Sequence, residues 1–269
     1  MNQAEQAGLE LRAMDELAAG DSFLHRLSPL SKLFVTIFYI AVTVSFPKYR
    51  LTALVWMALF PVAGYQLAGI PMRTCFHKLR IVLPLVCCIG IFNPFFDHAT
   101  VPFCGMLLPA GVLSMCTLIM KGVFSVLASY LLIATTCIED ICYALRLLHI
   151  PKLLVTQILL TYRYVTVLLE EVNRMTQAYS LRAPRQTGVH FRVWGSLTGQ
   201  LLLRSIDRAN AVYESMLLRG YQGDFSYIRQ VQHLHKTDVL YLLLWLIIFF
   251  ACRSFPIFAL IGQIFGGIF

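Results

Sequence analysis

The sequence has little charge. Of its 269 residues, 13% are charged and 58% are hydrophobic, and the mean hydropathy is +0.69. Soluble globular domains contain about 25% charged residues, so this chain lacks the polar surface that such a domain needs. The hydrophobic content also excludes an intrinsically disordered chain, which has too little apolar material to form a core. The expected solvent for most of the chain is therefore the lipid bilayer.

The sequence also lacks the motifs of several catalytic and metal-binding classes. Its eight cysteines form no CxxC pair and lie mostly within apolar runs, where a free cysteine packs as a small hydrophobic residue. No GxxxxGK(S/T) loop occurs, so the sequence offers no P-loop for ATP hydrolysis. We therefore expect no metal site, no cofactor and no catalytic residue. No cleavable signal precedes the first apolar run, and we expect the N-terminus to be retained.

Long apolar runs are the main positive feature. The runs with little or no charge are 33–47, 51–72, 81–96, 99–120 followed by 122–138, and 239–269. We interpret 99–109 as an extracytoplasmic loop and the remainder up to 138 as one long tilted helix, with two shorter elements as the alternative. Since a span needs about 20 apolar residues, the prediction is an all-α polytopic membrane protein with about five transmembrane helices, give or take one.

Two long helices are predicted before the last span. No glycine or proline interrupts Lys152–Arg182, whose apolar residues recur every three or four positions, with Pro151 at the first turn. A second helix is predicted from Phe191 to Leu218. Residues 138–238 contain 12 basic and 8 acidic residues, which the positive-inside rule assigns to the cytoplasm. The predicted order is a cytoplasmic segment 1–32, four spans over 33–138, cytoplasmic helices over 139–236 and a last span over 237–269.

Each of the two long helices ends beside an arginine. Arg182 precedes Ala183 and Pro184, and Arg219 precedes Gly220. One interpretation is ordinary capping, because cations are favoured at helix C-termini and glycine follows them. The other interpretation is that both helix ends present an arginine to another protein, since the planar guanidinium group binds carboxylates bidentately.

Several short motifs follow one another along the chain. They are Leu24-His25-Arg26-Leu27-Ser28-Pro29-Leu30-Ser31-Lys32-Leu33, Phe92-Asn93-Pro94-Phe95-Phe96, Ala134-Thr135-Thr136, Tyr162-Arg163-Tyr164 leading to Glu170-Glu171, and Arg219-Gly220-Tyr221 with Gly223. In the order and spacing of these motifs the sequence resembles a known family, the transmembrane T component of energy-coupling factor (ECF) transporters, and most closely its cobalt branch (CbiQ-like). The resemblance covers nearly the whole chain beyond about residue 20.

The resemblance implies a scaffold without catalytic activity in the cell membrane. Family members join a substrate-capturing S component to two cytoplasmic ATPases through coupling helices, each ending in an X-Arg-X motif that docks on one ATPase. ATP binding then moves the helix ends and tips the S component. Carried over, the docking motifs are Leu181-Arg182-Ala183, which departs from the usual final glycine, and Leu218-Arg219-Gly220.

Three polar or helix-breaking positions in the spans could contact the S component: Asn93, Pro94 and Lys121. The alternatives are a helix break at Asn93-Pro94 and a lysine that snorkels to the membrane interface. Cobalt follows from the branch resemblance alone, and nickel or a vitamin remains open.

Two other classes of protein fit less well. A membrane-embedded enzyme needs converging ionisable groups within the spans, and only Lys121 and Arg253 interrupt the apolar runs. A module that binds nucleic acid or anionic lipid needs a continuous basic face, whereas residues 138–238 intersperse acidic with basic residues. We expect protein partners and the bilayer, and no nucleic acid.

Overall fold

The computed structural model describes residues 3–47, 51–70, 72–92, 94, 100–103, 106–184, 188–223 and 235–254. The chain divides into two compact units. The span unit contains residues 18–137 and 232–269, and the long-helix unit contains residues 1–17 and 138–231.

Helices make up most of the described chain, with one short β-hairpin. The elements are α1 Gln3–Ala18, α2 Phe23–Arg26, α3 Pro29–Val44, α4 Leu51–Val55, a 3-10 turn Trp56–Ala58, α5 Leu59–Ala68, α6 Met72–Ile91, β1 Thr100–Phe103, β2 Met106–Pro109, α7 Ala110–Thr135, α8 Ile138–Leu147, α9 Lys152–Arg182, α10 Phe191–Leu218 and α11 Lys236–Ser254. The predicted all-α membrane fold is confirmed, since three of these helices are long and apolar enough to cross a bilayer, namely α7, α9 and α11, and α3 is a shorter apolar helix.

Buried polar groups join α3, α7 and α11 at one end of the span unit. The Asp238 carboxylate accepts a hydrogen bond from the Ser28 backbone N–H at 2.8 Å. Lys32, which is also buried, donates from Nζ to the Thr135 carbonyl oxygen at 2.7 Å. The start of α3 therefore meets the start of α11 and the end of α7.

Two cations join the same three helices at their other end. Lys121 of α7 donates to the carbonyl oxygens of Val44 at 2.9 Å and Phe46 at 2.6 Å. Arg253 of α11 donates to the Ser45 carbonyl oxygen at 3.0 Å, and its guanidinium lies 5.4 Å from the centre of the Phe46 ring. Helices α3 and α11 thus run in the same direction, and α7 runs against them.

A cluster of aromatic side chains fills the space between α3, α5 and α11. The Tyr39 and Phe60 ring centroids are 4.6 Å apart, and those of Phe60 and Trp245 are 4.8 Å apart. Phe249 lies 5.3 Å from Tyr39, whose hydroxyl donates to the Met57 carbonyl oxygen at 2.8 Å. Within a bilayer, close packing and such hydrogen bonds associate helices, because lipid tails are as apolar as the side chains.

The segment α4–α5 forms one return pass against α7. Tyr65 donates from its hydroxyl to the Leu127 carbonyl oxygen at 3.0 Å. Gly64 allows a close approach, since a Cβ there would lie 2.3 Å from a methyl carbon of Leu131. The pass ends at Gly69, whose φ of 68° lies in the left-handed region that favours glycine.

Helix α6 packs against α7 in the opposite direction. Gly90 of α6 lies beside Met115 of α7. A Cβ added to Gly122 of α7 would lie 3.0 Å from a methyl carbon of Val86 in α6. The strands β1 and β2 form an antiparallel hairpin between these helices, with Thr100 opposite Pro109. Residues 100–109 therefore precede one continuous helix, Ala110–Thr135, as the first of the two sequence interpretations predicts.

Two predicted spans begin several residues after the start of the helix that contains them. Helix α3 begins at Pro29 and not at residue 33, because proline suits the first helical turn. Helix α6 begins at Met72, nine residues before the predicted 81, because lysine and arginine end an apolar run without ending a helix. The last predicted segment, 237–269, extends outside the described residues beyond Ser254.

Candidate docking ends of two long helices

Helix α9 spans the predicted residues, Lys152–Arg182. Pro151 precedes it as the N-cap residue, and Ala183 ends it with φ −128° and ψ 63°. Pro184 follows, and a residue before proline is disfavoured in the helical conformation. The chain direction therefore changes directly after Arg182.

Helix α10 also spans its predicted residues, Phe191–Leu218. His190 caps its start, where the Arg192 backbone N–H donates to His190 Nδ1 at 3.3 Å. At the end of α10 the Gly220 backbone N–H donates to the Leu217 carbonyl oxygen at 2.9 Å. The Tyr221 backbone N–H donates to the Met216 carbonyl oxygen at 3.0 Å. With a φ of 82° at Gly220, this is a Schellman C-cap, which uses glycine at that position.

The two helices form an antiparallel pair. Met175 of α9 lies beside Trp194 near the start of α10, and Tyr164 of α9 lies beside Tyr213 near its end, each pair lining a common groove. Between these levels Glu171, which is mostly buried, forms an ion pair with Arg204. Since α10 has 28 residues, the turn after Arg182 and the end at Arg219 lie about 40 Å apart.

Both predicted docking ends are exposed to solvent. Leu181 is 82% exposed and Leu218 is 89% exposed, and the adjacent Arg182 and Arg219 are exposed as well. Within the part of the chain that the structure describes, neither guanidinium has a hydrogen-bond or ion-pair partner. Ala183 is half-buried and Gly220 is exposed. The two arginines are thus available to carboxylates of another protein.

The family model described as cobalt transport protein (CbiQ) matches residues 20–234 of this chain. The chain belongs to the CbiQ family. It is accordingly a membrane protein and a transmembrane T component of the ECF type. The match contains both candidate docking ends, whereas α1 precedes it and α11 follows it.

Individual relatives carry the names of metal and ECF transport proteins. The chain is 29% identical over 229 residues to cobalt transport protein CbiQ of Rhodobacter capsulatus, covering 80% of this chain and 87% of that protein. It is 23% identical to the EcfT protein of Leuconostoc gelidum subsp. gasicomitatum over 262 residues, covering 87% and 94%. With nickel permease LarQ of Lactiplantibacillus plantarum the identity is 30% over 121 residues, covering 43% of this chain and only 44% of that protein.

The other residues that the sequence singles out lie in the span unit. Asn93 lies outside the described residues, and Pro94 is half-buried. Lys121 is bound to the carbonyl oxygens at the end of α3, as an anchoring lysine would be. A contact with another subunit at these three positions stays a prediction.

Sequence reasoning misses the Glu171–Arg204 ion pair that joins the two long helices of this CbiQ-family chain. The partners are 33 positions apart, so no helical spacing connects them. Their opposite charges on two neighbouring predicted helices are the only available signal. The pair joins α9 and α10 at a level between the Met175–Trp194 and Tyr164–Tyr213 pairs.

Proposed function

We propose that this chain is the scaffold of an ECF-type importer that joins two ATPase subunits to a membrane-embedded S component and has no catalytic activity of its own. ATP-driven movement of the ATPases would act on Arg182 and Arg219. The long helices α9 and α10 would carry that movement to the S component, which brings the substrate.

The observation that carries this proposal is the matched pair of exposed Leu-Arg ends. Capping accounts for an arginine at the end of a helix, but it does not account for an exposed leucine beside each one. Leu181 and Leu218 offer apolar contact, and the adjacent guanidinium offers bidentate hydrogen bonds. A separation of about 40 Å suits two separate partner subunits better than one small partner.

The direction of the passes supports a cytoplasmic position for the long helices. Helix α9 is long and apolar enough to span a bilayer, but it pairs with α10, which contains five charged residues. Helices α3, α6 and α11 run one way across the span unit, and the α4–α5 segment and α7 run the other way. Residues 138–235 connect the end of α7 to the start of α11. The start of α3 lies on that same side of the span unit, because Ser28 contacts Asp238 and Lys32 contacts Thr135. We assign this side to the cytoplasm because of its basic residues, and place the chain in the cell membrane.

Cobalt is the proposed substrate of the assembled transporter. The family description and the name of the Rhodobacter capsulatus relative support it. Nickel is the second candidate, because the LarQ relative is named a nickel permease. The S component is the proposed site of substrate selection, with Asn93, Pro94 and Lys121 as the proposed contacts on this chain.

Charge reversal tests the docking proposal. We expect Arg182→Glu or Arg219→Glu to weaken copurification of the ATPases from detergent, and both together to abolish it, since loss of one partner of a buried charge pair costs about 2–5 kcal/mol. Arg174→Glu, an exposed arginine two turns earlier on α9, is the matched control. Normal assembly and uptake in the double variant would contradict the proposal.

Metal uptake tests the proposed substrate separately. Cells that express the whole transporter, with its own S component and ATPases, are supplied with radioactive cobalt or nickel ions. We expect cobalt to accumulate and an excess of unlabelled nickel to compete weakly. Preferential nickel accumulation would replace cobalt with the second candidate and leave the scaffold role intact.

A further inference from the structure

The N-terminal helix α1 lies outside the segment that the family model matches. It is amphipathic and mainly acidic. Its half-buried face consists of Gly8, Leu11, Met14 and Leu17, and its charged residues are Glu5, Glu10, Arg12, Asp15 and Glu16. A helix with one covered apolar face is packed on a neighbour, and the contacts of Arg12 and Asp15 identify that neighbour.

Two side chains of α1 contact α9. Arg12 donates from a terminal guanidinium nitrogen to the Glu170 carboxylate at 3.2 Å. Asp15 accepts a hydrogen bond from the Tyr162 hydroxyl. Because the later residue of α1 meets the earlier residue of α9, the two helices run in opposite senses.

The two contacts fall in the middle part of α9. Glu170 is the chain neighbour of Glu171, which forms the ion pair with Arg204 of α10. Adjacent carboxylates of α9 therefore bind arginines of two different helices. Glu170 binds Arg12 of α1, and Glu171 binds Arg204 of α10. At this level α9 is held from two sides.

We propose that α1 is a brace for α9, with Arg12 and Asp15 as positioning residues that fix the direction of the Arg182 end. The proposal rests on the proposed function, because it concerns the direction in which α9 presents Arg182 to an ATPase. From Glu170 to Arg182, α9 extends about 18 Å. A swing of about 10° at Glu170 would therefore move the docked end by about 3 Å, the length of one hydrogen bond, and that swing would take up part of the ATP-driven movement.

Hydrogen exchange tests whether α1 is attached as described. The transporter is purified whole, and amide exchange is followed in residues 3–18 of the wild type, Arg12→Glu, Glu170→Arg and the double exchange. We expect each single variant to exchange about three to ten times faster in α1, since an exposed ion pair contributes modestly and the exchange rate reports local opening. We expect the double exchange to restore protection. Glu16→Lys, an exposed charge change on the same helix, is the control.

The coupling ratio tests whether the attachment matters for positioning. ATP hydrolysed per metal ion taken up is measured for the same variants in proteoliposomes. We expect Arg12→Glu to raise this ratio several-fold while ATPase copurification stays near normal, and the double exchange to return it toward the wild-type value. Tyr162→Phe, which removes the hydroxyl bound to Asp15, should act in the same direction more weakly.

Two outcomes would overturn the brace. One is unchanged exchange in α1 after Arg12→Glu, which would show that the helix is not held there. The other is faster exchange with an unchanged coupling ratio, which would show attachment without positioning. Failure of the wild-type chain to assemble with any ATPase is a different result, and it would contradict the proposed function and not the contact of α1 with α9.

Discussion

The Lys121 side chain binds the end of another transmembrane helix. Its Nζ donates to the carbonyl oxygen of Phe46 at 2.6 Å and to that of Val44 at 2.9 Å. Carbonyls at a helix C-terminus have no donor within the helix, and in a bilayer an unsatisfied one costs several kcal/mol. The contact gives Lys121 a structural role at the far end of α3.

Replacing Lys121 with methionine should therefore destabilise the isolated chain. We expect a loss of about 1–3 kcal/mol, because two backbone acceptors lose a charged donor. Thermal unfolding of the purified chain in detergent measures it, with the exposed Lys236→Met as a control. An unchanged melting temperature together with lost binding of the S component would instead assign Lys121 to the subunit contact.

Asp238 should be needed for the start of α11 and its attachment to α3. Its two carboxylate oxygens accept hydrogen bonds from the backbone N–H groups of Ser28 at 2.8 Å and His235 at 2.9 Å. Asp238→Ala leaves both donors unsatisfied, and Asp238→Asn keeps one acceptor. We expect the alanine variant to lose about 1–3 kcal/mol and the asparagine variant to lose less.

Denaturation of the purified chain by titration with a denaturing detergent measures both Asp238 variants. Thr237→Ala changes the neighbouring exposed residue and serves as the control. Equal stability of Asp238→Ala and the wild type would mean that water replaces the carboxylate at this position.

The long helices are predictable because their ends are marked locally. Pro151 and Pro184 border α9, and Gly220 ends α10 in the αL conformation that only glycine adopts readily. The start of α6 at Met72 is not predictable from apolar runs, because Arg73 and Lys78 interrupt hydropathy but not the helix. Local conformation and local hydropathy thus report different boundaries.

The long-range contacts within each of the two units have no local signal. Ser28 and Asp238 are 210 positions apart, and Arg12 and Glu170 are 158 apart. A single sequence shows that these residues are charged or polar, but not which of them meet. The arginine ends were predictable, whereas the ion pairs that hold their helices required the structure.

Cys142 should react slowly with thiol reagents. It is buried in α8, and burial, with a smaller contribution from Glu139, raises the pKa of its thiol. A raised pKa leaves less thiolate at a given pH, so labelling should be slow near pH 7.5 and accelerate as the pH rises toward the raised pKa. Maleimide labelling followed by peptide mass spectrometry measures it, with the half-buried Cys137 as the comparison and denatured protein as the fully reactive reference. Labelling of Cys142 faster than Cys137 at pH 7.5 would contradict the prediction.

Gly220 should determine the geometry of the second proposed docking end. Its φ of 82° closes the Schellman cap directly after Leu218-Arg219, and an alanine there would occupy a conformation that costs about 1–2 kcal/mol. Gly220→Ala should therefore either fray the cap or redirect the chain. We expect ATPase copurification to fall several-fold although Arg219 is unchanged.

The matched control for Gly220→Ala lies in the same helix. Gly195 of α10 has open space around an added Cβ and lies inside the helix, where alanine is favoured over glycine by about 1 kcal/mol. Gly195→Ala should leave ATPase binding unchanged and make α10 more stable. If both variants bind the ATPases as the wild type does, the cap geometry is not needed for docking, and Arg219 must be recognised through a flexible end.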